Sequence, residues 1–159
     1  MIADSAYAKL ARAPYADLRR LEDQLAPEQL LAALDDPTAA AERGSLYITL
    51  LGIGGGQRAA TFLKQWIDVK WTRGDSAGLT ARLIAYKELQ GEAAVRFIEQ
   101  SYIKDPNRRL GEIVSAVEAL RVHGDANGVI PRARVLASYR RLLTQRPQLV
   151  ELIVSDCGR

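Results

Sequence analysis

The chain has 159 residues, 48% of them apolar and 26% charged, which is the composition of one ordinary globular domain. That balance excludes intrinsic disorder and low-complexity architecture, and the single cysteine, Cys157, excludes a disulfide framework within the chain. No apolar run approaches the ~18 residues of a membrane span, and residues 1–10 lack the basic and apolar regions of a secretion signal. The expectation is a soluble protein, cytoplasmic by default.

The net charge is +3, from 22 Lys and Arg against 19 Asp and Glu. This excess is milder than that of a dedicated nucleic-acid binder, and it is uneven. Residues 1–37 hold 4 basic and 7 acidic side chains, residues 38–74 hold 5 and 2, and residues 105–159 hold 9 and 6. His123 is the only histidine. Metal clusters of His and Cys, and a Cys–His pair elsewhere in the chain, are therefore not expected.

Helix signals recur from end to end. Asp4 suits the cap of a short helix through Arg12, and Pro14 and Pro27 suit the first turns of two more, where a missing N–H costs nothing. Asp35-Asp36-Pro37 reads as a turn that leaves Thr38 to cap the next helix. There Leu46, Tyr47, Leu50 and Leu51 share one face, and Gly54-Gly55-Gly56 stops the helix. Ala59, Phe62, Leu63, Trp66 and Ile67 then follow i, i+3, i+4, i+7, i+8, an amphipathic stripe.

The pattern is restated twice. A helix opening at Asp75 or Ser76 carries Leu79, Leu83, Tyr86 and Leu89 to Gly91, and Ala94, Phe97, Ile98, Ser101 and Tyr102 repeat the stripe of the preceding helix. A third round begins near Asn107, carries Leu110, Ile113, Val114, Val117 and Leu120 to Gly124, and is answered from Pro131 by Val135, Leu136, Tyr139, Leu142 and Leu143. The segments YITLLGIGG, LIAYKELQG and AVEALRVHG align at residues 47, 83 and 116, spacings of 36 and 33 residues. Paired helices at such periods mark an α-solenoid, because each pair is too short to bury its stripe alone. The predicted fold is all-α, a right-handed solenoid of about three to four stacked hairpins in one domain. Residues 1–37 form an N-terminal cap, residues 38–69, 75–103 and 107–146 the hairpins, and residues 147–154 a final helix. A plain helical bundle is the alternative.

These units resemble HEAT-like or armadillo-type hairpin repeats. The third unit and its tail, ALRVHG followed by GVIPRARVLASYRRLLTQRPQLVELIV, also resemble an uncharacterised bacterial HEAT-like family. The resemblance spans roughly residues 14–156 and implies a curved scaffold that binds macromolecules; no catalytic motif comes with it. The chain departs from the pattern in lacking a consistent inter-helix Asp/Arg pair and in the longer last turn at residues 125–129. The final helix ends almost at the C-terminus, which fits a domain excised from a longer protein.

Three motifs reduce to turns or packing. Gly54-Gly55-Gly56 with Ala59 fits G-x-G-x-x-A, with Asp75 at about the right distance, but helix rather than strand surrounds it. Residues 123–130 mimic half a calcium loop, with Asp125, Asn127, Gly128 and Ile130 in place, yet Arg134 stands where a carboxylate must. Trp66 belongs to the core stripe. Trp71, between Lys70 and Arg73, either covers the gap between hairpins or offers its ring to a partner.

The polar faces of the second helices carry Arg58 and Lys64, then Arg96, then Arg134, Arg140 and Arg141, interrupted by Glu99 and Glu151. With Trp71 they form the candidate partner-binding surface, a basic strip on the concave side. A merely solvated face is the simpler account. Catalytic, cofactor and metal residues are not predicted; carboxylates such as Glu88 and Glu92 show no spacing beyond an ordinary polar face. The expected function is a non-enzymatic scaffold for a protein or peptide, the alternative a nucleic-acid binder related in fold to HEAT-like alkylpurine DNA glycosylases. Phe97 is expected in the core. Glutamate at Arg96, Arg134, Arg140 and Arg141 together is expected to leave the fold intact.

Overall fold

A computed structural model describes the backbone of residues 2–72, 78–122, 129–151 and 153, with side chains except those of 2–6 and 69–72. The described residues form helices joined by short turns, with no strand among them. Among the described residues nine α-helices follow in order: α1 (Ile2–Arg12), α2 (Tyr15–Arg19), α3 (Pro27–Asp35), α4 (Pro37–Gly54), α5 (Gly56–Thr72), α6 (Leu79–Gln90), α7 (Glu92–Ile98), α8 (Leu110–Arg121) and α9 (Arg132–Gln145). Short 3₁₀ turns lie at Glu22–Gln24 and Pro147–Leu149, and a π-helical turn, Glu99–Ile103, extends α7. None of the described helices is long and apolar enough to cross a membrane.

The entry to α4 differs from the sequence expectation by two residues. Asp36 caps the helix: its Oδ1 accepts from the backbone N–H of Thr38 at 2.8 Å and of Ala39 at 3.4 Å, and Pro37 takes the first helical position. An aspartate cap ahead of an N1 proline satisfies the orphan N–H groups, so Thr38 lies within the first turn. The start of α6 expected at Asp75 or Ser76 lies outside the described residues; Gly78, in the left-handed region, directly precedes its first turn.

The helices pack in series, α3 on α4, α4 on α6, and α6 on α8. Alongside this row, α5 packs on α4 and α6, α7 on α6, and the π turn on α8 and α9. The core accordingly runs along the chain as three abutting clusters. Leu18 meets Leu46, Leu50 and Ile53; Leu31 and Leu34 meet Ile48, Leu51, Ala59 and Leu63; and a larger group extends from Ile67 through Leu83 and Ile98 to Tyr139 and Leu142. Leu30 bridges the first two clusters and Tyr86 the second and third.

Serial packing explains why α4 is not one-sided. Leu46, Ile48, Leu50, Leu51 and Ile53 are all buried, because helices cover α4 on several sides. Its contact with α6 depends on Gly52: a Cβ there falls 2.7 Å from the Cα of Ala85 and 2.9 Å from its Cβ. Gly52→Ala must push α4 and α6 apart, at an expected cost of about 1–3 kcal/mol. Gly111→Ala on α8, where a Cβ meets nothing within 4 Å, is expected to be neutral or stabilising by up to about 1 kcal/mol. Urea midpoints at unchanged slope measure both.

The tight turn between α6 and α7 rests on Gly91, whose φ of +52° suits a residue without a Cβ. Beyond α7, the N–H of Lys104 donates to the carbonyl of Glu99 at 2.9 Å, an i→i+5 bond that inserts one extra residue into the turn. Tyr102 and Ile103 are therefore the buried pair, with Ser101 only half-buried. Phe97 is half-buried too, packed edge-on against Tyr86 and Tyr102 with ring centroids 5.7 and 6.2 Å away. The core position expected for it is thus a rim position.

Candidate functional site

The arginines and lysine of the expected basic strip are mostly engaged with carboxylates. Arg58 pairs with Glu28 of α3 at 2.6 Å, both side chains well exposed. Lys64 pairs with Asp68 at 2.5 Å and lies 4.4 Å from the centroid of the Phe97 ring, while exposed Arg96 approaches Glu92 at 3.7 Å. Arg140 is exposed on α9, and the side chain of Trp71 lies outside the described residues, as do His123, Asp125 and Cys157. The Gly54–Ala59 run joins two helices, with the Ala59 N–H donating to the Gly55 carbonyl at 3.3 Å.

Arg134 and Arg141 behave differently from a solvated strip. Both converge on Glu99, whose side chain is 4% exposed. Arg134 donates to its two oxygens at 2.7 and 3.0 Å, Arg141 donates at 2.5 Å, and the buried Ser138 hydroxyl donates at 2.7 Å. Arg134 also reaches Glu92 at 2.8 Å. Burial pushes the Glu99 carboxyl up, but the hydrogen bonds of Arg134 and Ser138 and the charges of both arginines outweigh it and hold the group below the usual carboxylate range. Glu99 does not interrupt a strip; it ties the π turn to α9. Glutamate at Arg134 and Arg141 would leave three carboxylates facing one another, so the expectation of an intact fold for the fourfold variant is corrected.

A second set of side chains encloses space. A groove of about 360 Å³ runs beside α6 and is walled by α4, with Tyr15 of α2 at its edge. Ala81, Ile84, Ala85 and Glu88 lie at i, i+3, i+4, i+7 along α6, so they form one stripe about 10 Å long facing the groove. Ser45 and Thr49, one turn apart on α4, add hydroxyls to the wall. At one end the Tyr15 hydroxyl donates to Glu88 Oε2 at 2.8 Å. At the other, the Thr80 hydroxyl donates to Oε2 of Glu118 on α8 at 3.1 Å. Burial raises the Tyr15 hydroxyl pKa above its ordinary value, and the hydrogen bond to Glu88 and its negative charge raise it further. Tyr15 therefore stays a donor at neutral pH.

The groove brings together residues that the sequence did not single out, apart from Glu88. The two carboxylates that showed no spacing signal in the sequence have separate partners: Glu88 accepts from Tyr15, whereas Glu92 pairs with Arg134 and Arg96. The small residues at 81 and 85, with Ile84 between them, carry the one local signal, a helical face too slight for a core stripe. Described residues thus define an all-helical protein with a mixed polar and apolar surface groove. No family model, curated protein or solved structure matches the chain.

Proposed function

We propose that the protein is a non-enzymatic scaffold that binds a protein segment in the groove between α4 and α6. In this reading α4, α6 and α8 are the first helices of a short right-handed, HEAT-like solenoid, and their serial contact supports it. The observation that carries the binding reading is the groove itself: an open apolar floor flanked by hydroxyls and a carboxylate offers both desolvation and hydrogen bonds to an extended chain. The site moves from the second helices, where the strip is expected, to the first. The arginines of the strip favour the nucleic-acid reading less, since carboxylates already neutralise Arg58, Arg134 and Arg141.

A displayed library of random twelve-residue peptides, selected on the immobilised protein, tests this. Selected peptides are expected to lose about tenfold or more in affinity, roughly 1.4 kcal/mol, on Ala81→Trp, which fills the groove. Stability of that variant is expected to change by less than about 1 kcal/mol. Peptides that bind Ala81→Trp equally well refute the reading. So does a labelled DNA duplex that binds the protein tightly and weakens steeply with salt while no peptide is selected.

A further inference from the structure

Resting on the groove reading above, we infer that the groove over α6 accepts a tryptophan side chain of the bound protein segment. The floor of Ala81, Ile84 and Ala85 is apolar and low, since two of its three side chains stop at Cβ. The walls carry the specificity, because their hydroxyl protons are already in use. The Thr49 hydroxyl donates to the backbone carbonyl of Ser45 at 2.9 Å, the Thr80 hydroxyl to Glu118 at 3.1 Å, and the Tyr15 hydroxyl to Glu88 at 2.8 Å. Carbonyls and ionised carboxylates only accept, so the direction of all three bonds is fixed. A hydroxyl that donates keeps its lone pairs, and among the described residues nothing donates to those of Thr49 and Thr80. The groove is therefore complementary to a hydrogen-bond donor carried on an apolar body.

That donor is neutral. Tyr15 engages the Glu88 carboxylate, whose charge acts on the buried Lys87, and Arg19 acts on Tyr15 at the same end, so opposite charges offset one another there. Lysine and arginine gain no field that would repay the desolvation of a cation over an apolar floor. Among neutral groups, the hydroxyls, the carboxamides and the peptide unit bring an acceptor together with each donor. Against lone pairs that acceptor goes unmatched, and leaving it desolvated is costly. Indole has one N–H and no acceptor, so it is the neutral side chain that only donates. Its broad apolar ring also gains most from leaving water, which is why tryptophan so often anchors a bound segment.

The test extends the peptide selection. Peptides selected on the wild type are expected to share a tryptophan at one fixed position. One of them is titrated into the protein beside its benzothienylalanine analogue, in which sulfur replaces the indole N–H at nearly the same ring size, with amide shifts followed at Thr49, Ala81 and Ile84. The analogue is expected to bind about fivefold more weakly, the loss of one hydrogen bond. On the double variant Thr49→Val, Thr80→Val, which keeps the shape of both walls, the two peptides are expected to bind alike. The comparison of peptides on the wild type needs no variant, so it stands even where the double variant is destabilised. Groove-binding peptides without a fixed tryptophan, or an analogue that binds the wild type equally well, overturn the tryptophan inference and leave the scaffold reading intact. Peptides indifferent to Ala81→Trp overturn the scaffold reading itself, and with it the inference. Free tryptophan that shifts the same amides and binds more tightly than the selected peptide overturns the protein segment as the source of the indole.

Discussion

Glu99→Ala is expected to destabilise the protein by roughly 3–5 kcal/mol, because it removes the acceptor shared by Arg134, Arg141 and Ser138. The cost arises mainly at Arg134, whose side chain is 20% exposed, and at Ser138, which is fully buried. Arg141, at 53% exposed, is hydrated by a small movement and adds little. Replacing Glu99, Arg134 and Ser138 together by Met, Met and Ala is expected to recover most of the loss, since a matched apolar set leaves neither charge nor hydroxyl stranded. The same group sets acid sensitivity. Its folded pKa is depressed, so its stabilisation is complete above the ordinary carboxylate range and is lost as pH falls through the folded value. Wild-type urea midpoints should therefore fall below about pH 4 more steeply than those of the apolar triple variant. Parallel acid profiles would exclude Glu99 as the group responsible.

Legibility followed the range of the interactions. The stripe of α5 is visible in the sequence because Ala59, Leu63 and Ile67 pack on one side, and all three are buried to 1% or less. The helix α4 is not one-sided because α3, α5 and α6 each cover part of it. Nor does periodicity show the π turn. The partners of its Glu99 carboxylate, Arg134, Ser138 and Arg141, lie 35 to 42 residues further on in α9, so in sequence Glu99 is one more acidic residue among basic ones.

The groove was hidden for a related reason. Ala81, Ile84 and Ala85 make a face of low apolar weight, and Tyr15, which completes the end at Glu88, is 73 residues away. Distance in sequence also separates the candidate surface from its neutralising partners: Arg58 meets Glu28 across 30 residues, and Arg134 meets Glu92 across 42. Charge counts along a helix record only the side chains of that helix. Where a stacked neighbour supplies the counter-charge, a basic row becomes part of the packing.

Lys87→Met is expected to lower stability at pH 7 by about 2 kcal/mol, with the difference from wild type growing as pH rises. Lys87 lies on α6 in LIAYKELQG, where a lysine suggests solvent, yet it is 1% exposed. Its Nζ donates to the carbonyl of Ala119 at 2.7 Å and to that of Val122, the last acceptors of α8. A cation there satisfies orphan carbonyls and faces the negative end of the helix dipole. Met removes both bonds and leaves those carbonyls buried. Desolvation lowers the Lys87 pKa to about 8, with the charge of Glu88 opposing the shift. The unfolded chain, with a lysine near 10.4, then binds more protons than the folded one between pH 8 and pH 10.4, so stability rises with pH across that window. Between pH 8 and pH 10 the gain approaches roughly 2 kcal/mol, at 1.36 kcal/mol for each full unit of differential titration. Above about pH 10 the buried Tyr102 hydroxyl, pushed up to about 12, works the other way: the unfolded chain loses its proton first and stability falls. Urea midpoints at pH 7, 8, 9 and 10 separate the two groups. The wild type should gain up to pH 10 while Lys87→Met stays flat, so the gap between them widens to about 4 kcal/mol. A constant gap would mean that Lys87 keeps its proton throughout, held by the two carbonyls more strongly than burial expels it.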